Sequence, residues 1–274
     1  MSATRSVLPG FRLTIAITLT ALLLIVMIPL AGLVAKASAV PWTRIVALAM
    51  DYRTLAAFRI SFGLSALAAL VNLPIGFLLA WTLTREDFPG RRLVDAMIDL
   101  PFALPTAVAG VALTTLYVEQ GWIGSILAHI GISIAFTPAG IFVALGFVGL
   151  PFVVRSLQPV LLALSRESEE AALTLGAPWW QVLRRVILPP LLPAALTGAG
   201  MAFARGVGEY GSVIFIAGNR PAVSEIVPLL IVAKLEQFDY PGAALLGATM
   251  LVLSLVILLL LGFVVRPNRT AQNA

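Results

Sequence analysis

The side chains most capable of chemistry in this sequence lie at the end of an apolar segment, in the stretch Arg205-Gly206-Val207-Gly208-Glu209-Tyr210-Gly211. Arg205 and Glu209 are four positions apart, so on a helix they share one face and can form an ion pair. Charges in apolar surroundings normally have a partner or face an aqueous cavity. The pair therefore serves either to fix helix packing or to offer charge to a passing solute, and the sequence leaves both readings open.

Other residues with reactive side chains are scarce. The chain has no cysteine, which excludes disulfides and thiolate metal sites, and its single histidine, His129, is predicted to be a loop residue. No GxSxG sequence is present to mark a hydrolase nucleophile. The only lysines, Lys36 and Lys234, each follow alanine, whereas a phosphate-binding loop needs lysine after a glycine-rich turn. We predict no metal site, no enzymatic activity and no ATPase in this chain.

A polar insert in the second half of the chain carries a second pattern: Glu170-Ala171-Ala172, three residues, Gly176, nine residues and then Val186-Ile187-Leu188-Pro189. Ser165 is a suitable N-cap for a helix that begins there. Gly176 can adopt the left-handed conformation that ends a helix, and Pro178 suits the first turn of the next. The segment 165–190 is therefore predicted to form a short helix, a bend and a second helix.

The overall composition indicates the environment of these residues. Of the 274 residues, 60% are hydrophobic and only 11% are charged, whereas soluble domains carry about a quarter charged residues. The chain is therefore predicted to be a polytopic membrane protein in contact with lipid. A net charge of +5 gives little support to nucleic-acid binding, because most cations are arginines at the ends of apolar segments, where membrane orientation places them.

Apolar runs without charged residues define the predicted spans. Each reaches the roughly 20 residues that a helix needs to cross the hydrocarbon core. The runs are Leu13–Ala35, Ile60–Thr84, Leu100–Val118, Ile130–Val154, Val186–Ala204 and Tyr240–Val265. The sequence thus predicts an all-α bundle of six transmembrane helices, in which internal prolines such as Pro105 bend the helices that line a pathway.

Two intervening segments are predicted to lie outside the bundle. Charged residues and prolines interrupt the stretch 210–233, which we interpret as an external loop with a short helix near Val223–Leu235, and the stretch 38–59 is interpreted as an external linker. Eleven arginines lie on the side of the termini and of segment 165–190, against six cations on the opposite side. By the positive-inside rule, both termini and segment 165–190 are predicted to be cytoplasmic.

The nature of the first apolar span determines how the chain is divided into segments. Its apolar core of about 22 residues is longer than that of a cleaved signal peptide, so we predict an uncleaved anchor. Residues 1–54 then form the anchor helix and the external linker, residues 55–265 form the core of the bundle, and residues 266–274 form a cytoplasmic tail.

The pattern in segment 165–190 resembles the EAA loop of ABC importer permeases and departs from it only in Val186. This resemblance implies the type I importer permease (MetI-like) fold for residues 55–265, with a cytoplasmic loop that docks into an ATPase subunit. The residues that would couple the chain to that subunit are Glu170, Ala171, Ala172, Gly176, Leu188 and Pro189. ATP and Mg²⁺ would be bound by the ATPase, and this chain itself would carry no cofactor.

Further segments resemble the bacterial sulfate/thiosulfate permease family, of the T or U type: Asp99–Gly110, Pro151–Val160, Arg205–Asn219 and Glu236–Pro241. Molybdate/tungstate permeases share the pattern of Arg205–Gly211 and are the alternative. The resemblance implies a heterodimer with a second permease subunit, a pair of ATPase subunits and a periplasmic binding protein for sulfate or thiosulfate, at the bacterial inner membrane.

The route of the solute has four candidate residues. The pathway or gate is predicted to include Arg205, Glu209, Pro105 and Thr106. The alternative class is a secondary transporter driven by an ion gradient, which would require buried carboxylates in mid-span. The six apolar runs contain no carboxylate, so the sequence favours the ATP-driven class.

Overall fold

The computed structural model describes residues 11–264. Within that range the chain consists of helices and connecting turns, without a strand. The predicted cytoplasmic tail 266–274 and three of the arginines used to assign orientation, Arg5, Arg266 and Arg269, lie outside the described residues.

Fifteen α-helices follow one another in the described part of the chain: α1 (Phe11–Leu22), α2 (Ile28–Ser38), α3 (Trp42–Met50), α4 (Tyr52–Arg85), α5 (Arg91–Ile98), α6 (Leu100–Ala103), α7 (Thr106–Tyr117), α8 (Trp122–Ala128), α9 (Pro138–Ala163), α10 (Arg166–Thr174), α11 (Trp179–Val182), α12 (Leu188–Val207), α13 (Gly211–Ile216), α14 (Val227–Glu236) and α15 (Tyr240–Val264). Two five-residue π-helical segments, Leu23–Met27 and Leu183–Ile187, join α1 to α2 and α11 to α12 without a break.

Within residues 11–264, five continuous helices are long and apolar enough to cross a membrane: Leu13–Ser38, Tyr52–Arg85, Pro138–Ala163, Trp179–Val207 and Tyr240–Phe263. The sixth predicted span, Leu100–Val118, is interrupted, because Leu104 and Pro105 are extended and separate α6 from α7. A residue before proline is pushed out of the helical region, which accounts for the break. The predicted six-helix, all-α bundle is confirmed as five long helices and one short one, α7.

The fourth span is displaced along the sequence from its predicted position at Ile130–Val154. Helix α9 begins at Pro138 and continues to Ala163, so it extends beyond Arg155. The prediction stopped at Val154 because Arg155 is charged. In the structure Arg155 remains in the helix because the carboxylates of Asp95 and Asp99 neutralise it, at 2.7 and 2.5 Å.

The segments predicted to be external are largely helical, and the second of them contains several buried residues. Most of the stretch 38–59 is helical, and α4 begins at Tyr52 with the Asp51 carboxylate accepting a hydrogen bond from the Thr54 N–H at 2.9 Å. The short helix predicted near Val223–Leu235 is present as α14, but the stretch 210–233 also contains α13, which was not predicted and has half of its residues buried. The carboxylate of Glu225 in this stretch is fully buried because Arg53 binds it through two hydrogen bonds of 2.6 and 2.7 Å.

The centre of the molecule is formed by α4, α9 and α12, whose side chains form the largest apolar cluster. Small residues allow these helices to approach closely. A Cβ added to Gly198 of α12 would lie 2.9 Å from the Cα of Val153 in α9, so only glycine fits there. The first long helix lies outside this centre, largely exposed, with α2 packed against α15.

Candidate coupling loop and pathway site

The segment 165–190 forms the predicted helix, bend and second helix. The Ser165 hydroxyl accepts a hydrogen bond from the Glu167 N–H at 3.1 Å and caps α10. At the other end Gly176 has a φ of +84°, the left-handed conformation. The Gly176 and Ala177 N–H groups donate to the carbonyls of Leu173 and Ala172, at 2.9 and 3.1 Å. This pair of bonds is the Schellman arrangement, which satisfies carbonyls at a helix end.

The two helices of segment 165–190 expose both polar and apolar groups. Glu170 and Ala171 are exposed, and Ala172 is half-buried. At the bend, Leu175 has 88% of its surface exposed and Trp180 has 61%. Exposed apolar groups of this size are typical of a surface that contacts another protein or a membrane. Leu188 and Pro189 are also exposed, at the start of α12.

One glutamate in this segment is buried, and the sequence analysis did not single it out. Glu169 is only 8% exposed and forms an ion pair of 2.6 Å with Arg85, the last residue of α4. Arg85 and Glu169 are far apart in sequence, so no local sequence pattern indicates their contact. The helical spacing rule applies only to neighbours on one helix.

The second candidate site lies at the opposite end of α12 from segment 165–190. Leu188 and Arg205 are about 25 Å apart along the helix axis, at 1.5 Å per residue. The Arg205 guanidinium lies 2.5 Å from a Glu209 carboxylate oxygen, which confirms the predicted ion pair. The contact is ionic and lacks hydrogen-bond alignment, since that oxygen has no hydrogen-bond partner.

Glu209 and Arg205 have different surroundings. The Glu209 side chain is 1% exposed, and its other carboxylate oxygen accepts hydrogen bonds from the N–H and the hydroxyl of Ser212, both at 3.0 Å. Glu209 therefore caps the first turn of α13. The Arg205 side chain is 37% exposed, so it is much more accessible than Glu209.

The structure brings the other two predicted pathway residues to the same region. Pro105 precedes the first residue of α7, and Thr106 begins that helix. Thr106 packs so closely against Gly211 that a Cβ on the glycine would overlap its hydroxyl. A Cβ on Gly110, one turn further along α7, would lie 2.5 Å from the Ser212 carbonyl oxygen. Helix α7 and the segment 205–212 are therefore in direct contact.

A third cluster, also missed by the sequence analysis, joins two of the segments that carried the family resemblance. The Arg155 guanidinium donates to both carboxylate oxygens of Asp99, at 2.8 and 2.5 Å, and to Asp95 and Gln158, each at 2.7 Å. Burial would raise the pKa of Asp95, but the hydrogen bonds from Arg155 and Gln158 lower the pKa below its usual value. The cluster fixes α5 and α6 against α9.

The family described as binding-protein-dependent transport system inner membrane component matches residues 72–269. The chain belongs to this family. It is thus a multi-pass inner-membrane subunit of a transport system, and it is not an enzyme. No group of three or more metal-binding side chains occurs within residues 11–264.

Two relatives are similar in sequence to this chain over most of its length. A protein named sulfate transport system permease protein CysT from Synechococcus elongatus is 50% identical over 86% of this chain and 85% of its own length. One from Salmonella typhimurium with the same name is 44% identical over 93% of this chain and 92% of its own length.

A solved structure supports the fold. It is the crystal structure of a bacterial alginate ABC transporter in complex with an alginate pentasaccharide-bound periplasmic protein. The matching chain has a TM-score of 0.76 and 19% identity, with 93% of each chain covered. At that identity the match shows the fold alone, which is the type I ABC importer permease fold.

Proposed function

We propose that this chain is the membrane-spanning subunit of an ATP-driven importer that carries sulfate, and also thiosulfate, into the cell. The observation that carries the proposal is the identity of 44 to 50% with proteins named as sulfate transport permeases, over most of the length of both chains. The partly exposed Arg205 side chain is a suitable group for attracting a dianion to the pathway.

The division of labour between subunits follows from the binding requirements of sulfate. A tetrahedral dianion is held tightly by hydrogen-bond donors and helix N-termini, an arrangement suited to a soluble receptor. A membrane pathway must release the ion as well as accept it, so its attraction has to be weak. One partly exposed arginine that is already paired with a glutamate gives such a weak positive potential.

The partners of the proposed importer are a periplasmic binding protein for sulfate or thiosulfate, a second permease subunit that forms a heterodimer with this chain, and a pair of ATPase subunits. Segment 165–190 would contact an ATPase through Glu170, the small face of Ala171 and Ala172, and the exposed residues at the bend. ATP and Mg²⁺ would be bound by the ATPase subunits. No cofactor is assigned to this chain.

The cargo is tested by transport. A strain that lacks this gene should lose uptake of labelled sulfate and recover it when the gene is restored. Excess thiosulfate should compete with sulfate, because the two dianions have the same charge and similar shape. Excess molybdate should compete weakly, because it has the same charge and a tetrahedral shape but is larger than sulfate. If loss of the gene abolished uptake of labelled molybdate and left sulfate uptake unchanged, the chain would belong to the molybdate/tungstate alternative and the proposal would be overturned.

Orientation gives a second expected result. In the proposed topology, segment 165–190 and both termini are cytoplasmic, and the loop before α9 is periplasmic. Ser168 and Ser133 are both exposed and the native chain has no cysteine, so a single cysteine at either position reports on its own side. Ser133→Cys should react with a membrane-impermeant thiol reagent when only the outer membrane is permeabilised. Ser168→Cys should react only after cells are opened, and the reverse pattern would contradict the topology.

A further inference from the structure

Arg85 joins the end of a central transmembrane helix to the start of segment 165–190. It is the last residue of α4, and its side chain is only 9% exposed. The guanidinium forms the ion pair of 2.6 Å with Glu169 in α10 and donates to the Leu164 carbonyl oxygen at 3.2 Å. In return, the Arg166 side chain donates to the Arg85 carbonyl oxygen at 3.0 Å. Three residues around the start of α10 are therefore bound to one residue of α4.

The second helix of the segment is connected to the same residue through aromatic rings. The Arg85 guanidinium carbon lies 5.5 Å from the centre of the Trp81 ring, within the range of a cation–π contact. The Trp81 ring meets Trp179 edge-on, with their centres 5.9 Å apart. Trp179 is the first residue of α11. Both helices of segment 165–190 are thus held against the last turn of α4.

Neighbouring glutamates in α10 have opposite roles in this arrangement. Glu169 is buried against Arg85, whereas Glu167 and Glu170 are exposed and free to meet a partner protein or solvent. Breaking a buried ion pair from one side leaves an uncompensated charge, which is strongly unfavourable. The contact between α4 and α10 is therefore specific. Arg85 cannot pair with an adjacent glutamate instead without leaving the buried Glu169 carboxylate unpaired.

We propose that Arg85 is a positioning residue that makes segment 165–190 and the cytoplasmic end of α4 move as one body during transport. The proposal rests on the proposed function of this segment as the contact with the ATPase. A displacement of α10 by the ATPase then displaces α4 directly, and through α4 the helices α9 and α12 that pack against it. We call the ion pair between Arg85 and Glu169 the clamp. When the clamp is lost, segment 165–190 still contacts the ATPase but moves without the rest of the helix bundle.

The test compares ATP hydrolysis with sulfate uptake in the complete transporter reconstituted in lipid vesicles. Arg85→Gln and Glu169→Gln should assemble with the ATPase and hydrolyse ATP, but the ATP consumed per sulfate imported should rise several-fold. Arg85→Lys should lie between them and the native chain, since lysine retains the charge but not the planar fork. The control is Glu86→Gln, an exposed glutamate next to Arg85 and outside segment 165–190, which should keep the native ratio.

Two variants keep the result decisive. Glu169→Gln preserves size and one acceptor oxygen, so it reports on the clamp even if Arg85→Gln fails to assemble. An unchanged ratio of ATP to sulfate in assembled Glu169→Gln would overturn the proposal. If Gly176→Val is defective in coupling while the clamp variants are normal, only the clamp is wrong. If Gly176→Val and the clamp variants all show the native ratio, segment 165–190 is not the coupling element.

Discussion

Replacing Gly176 by valine should reduce sulfate uptake by about tenfold or more while leaving membrane insertion intact. The backbone at this position has a φ of +84°, which valine, with its branched Cβ, adopts only under strain. Strain of this kind costs on the order of 1–3 kcal/mol. Relieving it would open the bend and move α11 relative to α10. The measurements are uptake of labelled sulfate, transport-stimulated ATP hydrolysis and co-purification with the ATPase.

The surroundings of Gly176 separate backbone strain from steric overlap. No heavy atom apart from the adjacent residues lies within 4 Å of a Cβ added at this glycine, so backbone strain is the main effect expected of valine. Asparagine tolerates the left-handed conformation, so Gly176→Asn is the matched control and should keep most of the uptake. Normal uptake and normal stimulated hydrolysis in Gly176→Val would remove the bend from the coupling mechanism.

Local rules predicted segment 165–190 well from sequence. The N-cap at Ser165 and the left-handed glycine at 176 depend on residues within one or two helical turns, and both are present in the structure. The span boundaries were less accurate, because a hydropathy reading treats a charge as the end of a span. Arg155 is accommodated within α9 by carboxylates that lie 56 and 60 positions away, which no local pattern contains.

The same limitation explains why the burial of residues in the stretch 210–233 was not predicted. We predicted an external loop here because the stretch contains Arg220, Pro221, Glu225 and Pro228. Yet Glu225, a charged residue that is costly to bury, is buried with Arg53 as its partner, 172 positions away. Proline and glycine were informative where the constraint was local, as at Pro105. Ion pairs between distant helices required the structure.

Arg205 and Glu209 make different contacts, so substitutions of the two residues should have different effects. Glu209 holds the first turn of α13 through the N–H and hydroxyl of Ser212. Exchanging the two residues would place arginine where two donors point and remove this cap. We therefore expect the exchanged variant to have low abundance, as Glu209→Gln should, although the ion pair itself would be present in reverse.

Arg205 is the residue whose removal should affect transport more than folding. Its side chain is 37% exposed, and it is the member of the pair that can present positive charge to a passing dianion. Arg205→Gln should assemble, because the N–H and the hydroxyl of Ser212 still donate to the Glu209 carboxylate. It should lose about tenfold in sulfate uptake, which corresponds to about 1.4 kcal/mol in the barrier to passage. Arg205→Lys should keep part of the uptake, because lysine retains the charge but not the planar fork. The exposed Arg92 on α5 provides the control, and Arg92→Gln should transport normally.

The measurement that decides the role of Arg205 is uptake per assembled transporter. If Arg205 acts in the pathway, Arg205→Gln keeps its abundance and loses uptake, and raising external sulfate restores part of the rate because the lost attraction lowers the local anion concentration. If it acts only to neutralise Glu209, abundance falls with uptake in proportion and the rate per transporter is native. Undiminished sulfate uptake at normal abundance would exclude Arg205 from the mechanism, leaving Thr106 and the contact of α7 with Gly211 as the candidate gate.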